Sequence, residues 1–285
     1  MEQYLEKLGG FLRSNAGYSD ARIVLLGVPM DFTVSYRPGT RMGPQQVRAV
    51  SAGLEEYSVY LDKELSEVSF TDWGDVVLPF GNVAESLERI KLVADRILDD
   101  GKKPFIIGGE HLISYPVIQA VHRRYPDLMI VHFDAHADLR KDYMGETNSH
   151  ATVMHKTAKL LGSKRIVQVG IRSGIKEEFD FACKNTYLFR DRVEEAMPQV
   201  QEIVSDRPVY ISLDIDVVDP AFAPGTGTPE PGGCTAREIV SAIHSLRNCR
   251  IVGFDLVEVS PVYDPSGRTA LLGAKLIREA ILCFD

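Results

Sequence analysis

Asp134, His136 and Asp138 stand two residues apart within HFDAHADLR (132–140), separated by Ala135 and Ala137. In an extended segment that spacing puts side chains on one face, so two carboxylates and an imidazole leave the chain together. Asp214 and Asp216 repeat the spacing in SLDIDVVDP (212–220), and His111 follows a glycine pair in FIIGGEH (105–111). Mixed oxygen and nitrogen donors of this kind suit divalent manganese or zinc. Brought together, the four carboxylates would be costly without cations. Two divalent ions would neutralise them, and a two-metal site activates water for hydrolysis. Each short motif also has a plainer reading, as a helix cap or as carboxylates paired with neighbours. The three sets in one chain favour a metal centre. No G-x-S-x-G elbow and no P-loop offers a covalent or nucleotide alternative.

Each set follows an apolar run that reads as a buried strand: 103–111, 128–131 and 207–220. Further strands are expected at 22–28, 67–75, 165–172, 186–189 and 250–261. Helical patterns lie between them at 45–54, 85–98, 114–124, 151–161, 176–183, 192–205, 235–246 and 268–282. Pro44 opens the first of these, where its missing N–H costs nothing, and Thr235 with Glu238 forms a capping box. Strands alternating with helices predict an α/β fold, a three-layer α/β/α sandwich around a mainly parallel sheet. No linker or repeat divides the chain, so residues 1–285 read as one domain. Ligands of such sheets bind beyond the carboxyl ends of the strands, where the three sets would meet if their strands are neighbours.

The composition is that of an ordinary globular protein, 45% hydrophobic and 25% charged. A net charge of −8 argues against a general nucleic-acid binder and is compatible with a cationic substrate. The start carries no signal-peptide pattern, and no apolar run reaches the ~18 residues of a membrane span. Cys183, Cys234, Cys249 and Cys283 are scattered and form no C-x-x-C, as expected of reduced thiols in a cytoplasmic protein.

Six segments together resemble the ureohydrolase (arginase–agmatinase) family, on its agmatinase side. They are GVPMDFTVSYRPGTRMGP (27–44), GGEHLIS (108–114), HFDAHADLR, SHAT (149–152), SLDIDVVDPAFAPGTGTPEPGG (212–233) and LVEVSPVYD (256–264). The resemblance covers nearly the whole chain. It implies an arginase/deacetylase-like sheet and two Mn2+ per subunit, one held by His111, Asp134, Asp138 and Asp214. The other would be held by His136, Asp134, Asp214 and Asp216, with Asp134 and Asp214 bridging. It further implies that hydroxide attacks the guanidinium carbon of a small cationic guanidino substrate and that Asp138 takes its proton. His150 would shuttle a proton to the leaving amine, Glu258 would pair with the guanidinium, and Thr228 would line that pocket and support Glu258. Arginases carry Asn where this chain has Arg140, so no amino-acid head-group site remains. The implied reaction is hydrolysis of agmatine to urea and putrescine, in polyamine biosynthesis. Aminopropylagmatine is the nearest alternative substrate; guanidinobutyrate and arginine follow. A homo-oligomer, trimer or hexamer, is implied as well.

On residue type alone His150 reads as a solvated loop histidine and Glu258 as an acid paired with a helix; only the resemblance gives them roles. His132 reads as packed and hydrogen-bonded, Asp219 as holding its loop, and Asp31 and Asp75 as organising turns. His122, His155 and His244 read as surface or partly buried helix residues, and Trp73 as core or interface. A metallophosphoesterase would need a Gly-Asn-His element where this chain has Gly109-Glu110-His111. A non-catalytic relative would not be expected to keep all six candidate ligands.

Overall fold

The computed structural model describes residues 1–285 apart from Leu8, Arg13 and Asn15. The strands are β1 (Leu5–Glu6), β2 (Ile23–Val28), β3 (Tyr57–Ser58), β4 (Lys63–Glu64), β5 (Phe70–Val76), β6 (Lys103–Gly108), β7 (Met129–Phe133), β8 (Ile166–Val169), β9 (Tyr187–Phe189), β10 (Val209–Asp214) and β11 (Ile251–Val257). The helices are α1 (Gly43–Ser51), α2 (Val83–Asp99), α3 (Ser114–Arg124), α4 (Val153–Leu161), α5 (Lys176–Asn185), α6 (Val193–Val204), α7 (Ala236–Ser245) and α8 (Arg268–Phe284).

One sheet runs in the order β1-β5-β2-β6-β11-β10-β7-β8-β9. Every pairing in it is parallel except β1 against β5. Alternate strand residues feed two cores. Ile23, Leu25, Phe105, Ile107, Met129 and Val131 pack with residues of α1, α6, α7 and α8. Val24, Leu26, Ile106 and Ile130 pack with residues of α2 to α5 on the other face. That is the expected three-layer arrangement. The short antiparallel β1 and the β3–β4 ribbon were not expected; at two residues each they carry no periodic signal.

The order matters because β6, β11, β10 and β7 are consecutive, so the three motif-bearing strands are neighbours with one strand added. Their register also aligns. Leu213 lies opposite Phe133, Asp214 opposite Val257, and Leu256 opposite Ile107. Asp134, Asp214, Glu258 and the 108–111 turn therefore leave the sheet at nearly one level.

Two expectations need correction. Asp75 does not organise its own turn. It pairs with Arg48 of α1, which is buried and also forks onto Asp72 at 2.7 and 2.9 Å. A helix arginine reads as surface until tertiary structure supplies both carboxylates. His155 is buried, at 3% exposure, and lies against the Phe181 ring with 4.8 Å between centroids. Asp31 and Asp219 behave as expected, accepting backbone N–H groups of Gly39 and of Ala221, Gly232 and Gly233. Trp73 is half-buried and stacks on Tyr18.

Glu279 of α8 is buried and accepts from Ser58 Oγ (2.7 Å), His244 Nε2 (2.8 Å), Lys275 Nζ (3.2 Å) and Arg278. Burial pushes its carboxyl up, but the bonds from His244, Arg278 and Ser58 outweigh burial and hold it well below the usual range. A depressed carboxyl adds stability above its unfolded pKa, lost as pH falls through the folded value. Glu279→Ala leaves Arg278 without that partner and is expected to cost about 3–5 kcal/mol. A denaturant midpoint at neutral pH measures it; a change under ~1 kcal/mol would mean the cluster is solvated.

Among the described residues no helix is long and apolar enough to cross a membrane.

Candidate metal centre

The candidate ligands converge, though not by strand pleating alone. β7 ends at Phe133, and residues 134–138 lie in the loop beyond it. Asp138 has φ +52 and Glu258 φ +63, left-handed values that only surrounding structure can hold in residues with a Cβ. His111 and Asp216 sit in 3-10 turns, His111–Ile113 and Ile215–Val217, that follow β6 and β10. At Gly109 a Cβ would lie 1.9 Å from Met30 O, so glycine is needed for the chain to pass there.

His111 Nδ1 lies 3.1 Å from Asp134 Oδ2, 3.2 Å from Asp138 Oδ2 and 3.3 Å from Asp214 Oδ2. On the other side His136 Nδ1 lies 2.9 Å from Asp216 Oδ2 and 3.6 Å from Asp134 Oδ1. The two oxygens of Asp134 thus face two different histidines. Asp214 Oδ1 accepts from Asp216 N, and Asp216 Oδ1 from Ala135 N. His111, Asp134, Asp138, Asp214 and Asp216 are buried, and His136 is half-buried.

Hydrogen-bond partners fix the state of the buried rings. Ser212 Oγ donates to Asp255 Oδ1 at 2.8 Å, so it accepts from His111 Nε2–H at 3.0 Å. His111 Nδ1 is then the bare nitrogen. It makes no hydrogen bond and faces three carboxylate oxygens. Electron-rich atoms converging at that distance need a cation between them. The donor set therefore fits metal ions. Lacking one, the site would hold a proton. Burial opposes a charge on His111, but the three carboxylates of Asp134, Asp138 and Asp214 beside it carry its pKa well above the usual value. His136 follows the same balance of burial against Asp216 and Asp134, and its pKa rises to about 12.

His132, also within reach of the cluster, is occupied. Gln168 Nε2 donates to its Nδ1 at 3.2 Å, and its Nε2–H donates to Asp134 Oδ2 at 2.8 Å. It is packed and hydrogen-bonded, as the sequence led us to expect, and it orients the Asp134 carboxylate.

A cavity of about 280 Å³ opens over this cluster, lined among others by His136, Asp138, Arg140, His150, Thr228 and Glu258. Glu258 Oε1 accepts from His111 N at 2.7 Å, and its own N–H donates to Gly109 O. Burial drives its pKa well up, with Glu110 and Asp216 adding to the rise. Thr228 lines the cavity, but its hydroxyl is 3.5 Å from Asp216 Oδ2 and is not on Glu258. Its backbone loop approaches Glu258 at Gly227 instead. His150 opens the 3-10 turn His150–Thr152 and lies edge-on to Tyr143, 5.6 Å between centroids. Burial lowers its pKa, so it is poised as a neutral imidazole. Arg140 Nε is 3.5 Å from Glu178 Oε2 at one wall.

Sequence reasoning missed Glu110. It is fully buried and accepts from Phe32 N (2.9 Å), Thr33 N (2.7 Å) and Thr33 Oγ1 (3.1 Å). Burial raises its pKa to about 7. Adjacent to a candidate ligand, it read only as part of a motif.

Sheet and donor cluster together describe a three-layer α/β/α protein with a buried His/Asp cluster that suits a pair of metal ions. Residues 21–283 match the pattern of the family described as the arginase family, and the chain belongs to that family. It is 50% identical over 277 residues to an agmatinase of Bacillus subtilis (strain 168), covering 96% of both chains. It is 38% identical over 270 residues to a guanidinobutyrase of Pseudomonas aeruginosa, covering 90% of this chain and 84% of the relative. The agmatine ureohydrolase structure from Thermoplasma volcanium superposes with a TM-score of 0.89 at 35% identity, covering 98% of this chain and 95% of that one.

Proposed function

We propose that this chain hydrolyses the guanidinium group of agmatine to urea and putrescine. The observation that carries this is the 50% identity, across 96% of both chains, with an agmatinase. His111, Asp134, Asp138 and Asp214 would hold one Mn2+, and His136, Asp134, Asp214 and Asp216 the other. Asp134 would serve both groups, since its two oxygens face the two histidines. When bound, the ion pair supplies a hydroxide-strength nucleophile from water at neutral pH.

The chain's own groups do the rest. Glu258 fixes the guanidinium plane by a charge-assisted pair, leaving its carbon exposed to attack from the cluster side. Asp138 accepts the proton released as the tetrahedral centre forms. Neutral His150 takes up that proton and passes it to the leaving amine, which departs as putrescine. Thr228 steadies Asp216 and closes the pocket wall. Residues 1–285 act as one domain, in a cytoplasmic trimer or hexamer that feeds polyamine biosynthesis.

Guanidinobutyrate is the second substrate to test, because Arg140 lines the cavity and would meet a carboxylate tail. Glu178, 3.5 Å from Arg140, offsets that charge and keeps agmatine ahead. Urea release by Mn2+-loaded protein is measured with agmatine, aminopropylagmatine, guanidinobutyrate and arginine, beside a chelated control. Agmatine is expected to be fastest, with turnover lost on chelation. No urea from agmatine with the ions bound would overturn the proposal.

A further inference from the structure

Glu110 is a buried carboxylate outside the candidate ligand groups, with no cation paired to it among the described residues; its bonds all go to residues 32 and 33. Two backbone N–H groups occupy Oε2, and the Thr33 hydroxyl meets Oε1 at 3.1 Å. A hydroxyl has one hydrogen. As an ionised carboxylate, the form its two backbone N–H bonds favour, Glu110 takes that hydrogen, and Thr33 Oγ1 can then only accept from its other neighbours. Both belong to His150: its backbone N at 3.1 Å and its Nδ1 at 3.5 Å. Ser149 Oγ, 3.4 Å from the same Nδ1, has a free rotor that can accept as readily as donate, so it follows the ring.

We propose that Glu110 and Thr33 are positioning residues that hold the His150 imidazole as its Nδ1–H tautomer, leaving Nε2 bare toward the cavity. The inference rests on His150 being the proton carrier proposed above. It adds what selects the working nitrogen. Long contacts such as the 3.5 Å one commonly tighten when substrate fills a site. A neutral imidazole in the other tautomer would present an N–H to the cavity, unable to take up a proton there.

Glu110→Gln makes a sharp test. Its amide oxygen must keep accepting from Phe32 and Thr33 N–H, so its NH2 faces Thr33 Oγ1 and donates. The Thr33 hydrogen then turns to His150 Nδ1, and the ring is driven to the Nε2–H form. Two readouts are taken. One is the 15N spectrum of histidine-labelled, Mg2+-loaded protein, with His150 assigned by its loss in His150→Ala. The other is steady-state kinetics of the Mn2+ enzyme. Wild type and Thr33→Ser are expected to show Nδ1–H, and Glu110→Gln to show Nε2–H. In Glu110→Gln kcat should fall about 10- to 100-fold with KM little changed, and the loss should vanish in a His150→Ala background. A Glu110 that served only to brace the loop would leave the tautomer alone and add its effect to His150→Ala. The same tautomer in Glu110→Gln as in wild type, or Nε2–H already in wild type, overturns the proposal. If Glu110→Gln does not fold, Thr33→Val carries the test, since the loss of the acceptor should remove the Nδ1–H preference. Absence of urea from wild type would sink the proposed reaction while the 15N readout still decided the tautomer.

Discussion

Asp214→Asn is expected to lower urea release about a thousandfold or more and at the same time to make the cation-free chain more stable. Both follow from one crowded spot. Asp214 is buried, with Oδ2 3.3 Å from His111 Nδ1 and Oδ1 on Asp216 N. Burial, Asp216 and Asp134 together push its pKa well above the usual range. Without cations its charge opposes folding. Asparagine keeps the shape and can still accept from Asp216 N, but it removes the charge that would help hold cations. Thermal midpoints with chelator and with Mn2+, beside urea release, give the test. The variant's midpoint should exceed wild type with chelator by an amount matching about 1–3 kcal/mol, and Mn2+ should raise it far less. A variant less stable than wild type in chelator would refute the crowding account.

Glu258→Gln is expected to reduce kcat/KM for agmatine about 100- to 1,000-fold, from the loss of about 3–4 kcal/mol of charge-assisted binding. The direction of one hydrogen bond makes the effect large. Oε1 accepts from His111 N at 2.7 Å, so a glutamine there must place its amide oxygen on that N–H. Its NH2 then points into the cavity, donor against the donors of a guanidinium. Metal content, read by atomic absorption, should be unchanged, which separates lost orientation from lost ions. Wild-type kcat/KM in the variant would place the guanidinium elsewhere in the cavity.

Much of this was readable before any coordinates. Continuous apolar runs located every strand of the sheet except β1, because most of those strands are buried on both faces, and helical apolar spacing located all eight helices. The spacings at 134–138 and 214–216 located the cluster, since a metal centre draws its ligands from strand ends. What stayed hidden depends on neighbours that are distant in sequence. Arg48 looks like a surface residue until Asp72 and Asp75 arrive from β5. Glu110 has no signal of its own, because its partners are backbone groups of Phe32 and the Thr33 side chain and N–H. The hydroxyl of Thr228 turns to Asp216, a choice between two carboxylates that sequence cannot express. Left-handed φ at Asp138 and Glu258 is likewise set by what surrounds them, as neither is a glycine.

The strand order also bears on how the chain is made. β6 and β7 are neighbours in sequence, yet β11 and β10 lie between them in the sheet. On the ribosome the flanks exist before the middle. A nascent chain halted before Val209 already has His111 and residues 134–138, but it has two unpaired strand edges at the heart of the molecule and no Asp214, Asp216 or Glu258. Such edges invite pairing with other chains, and closing them requires contacts far apart in sequence, which are slow to form. The last quarter of the polypeptide is thus the keystone. No half-built centre holds all six candidate ligands during synthesis, so the donor cluster is complete only when the sheet is.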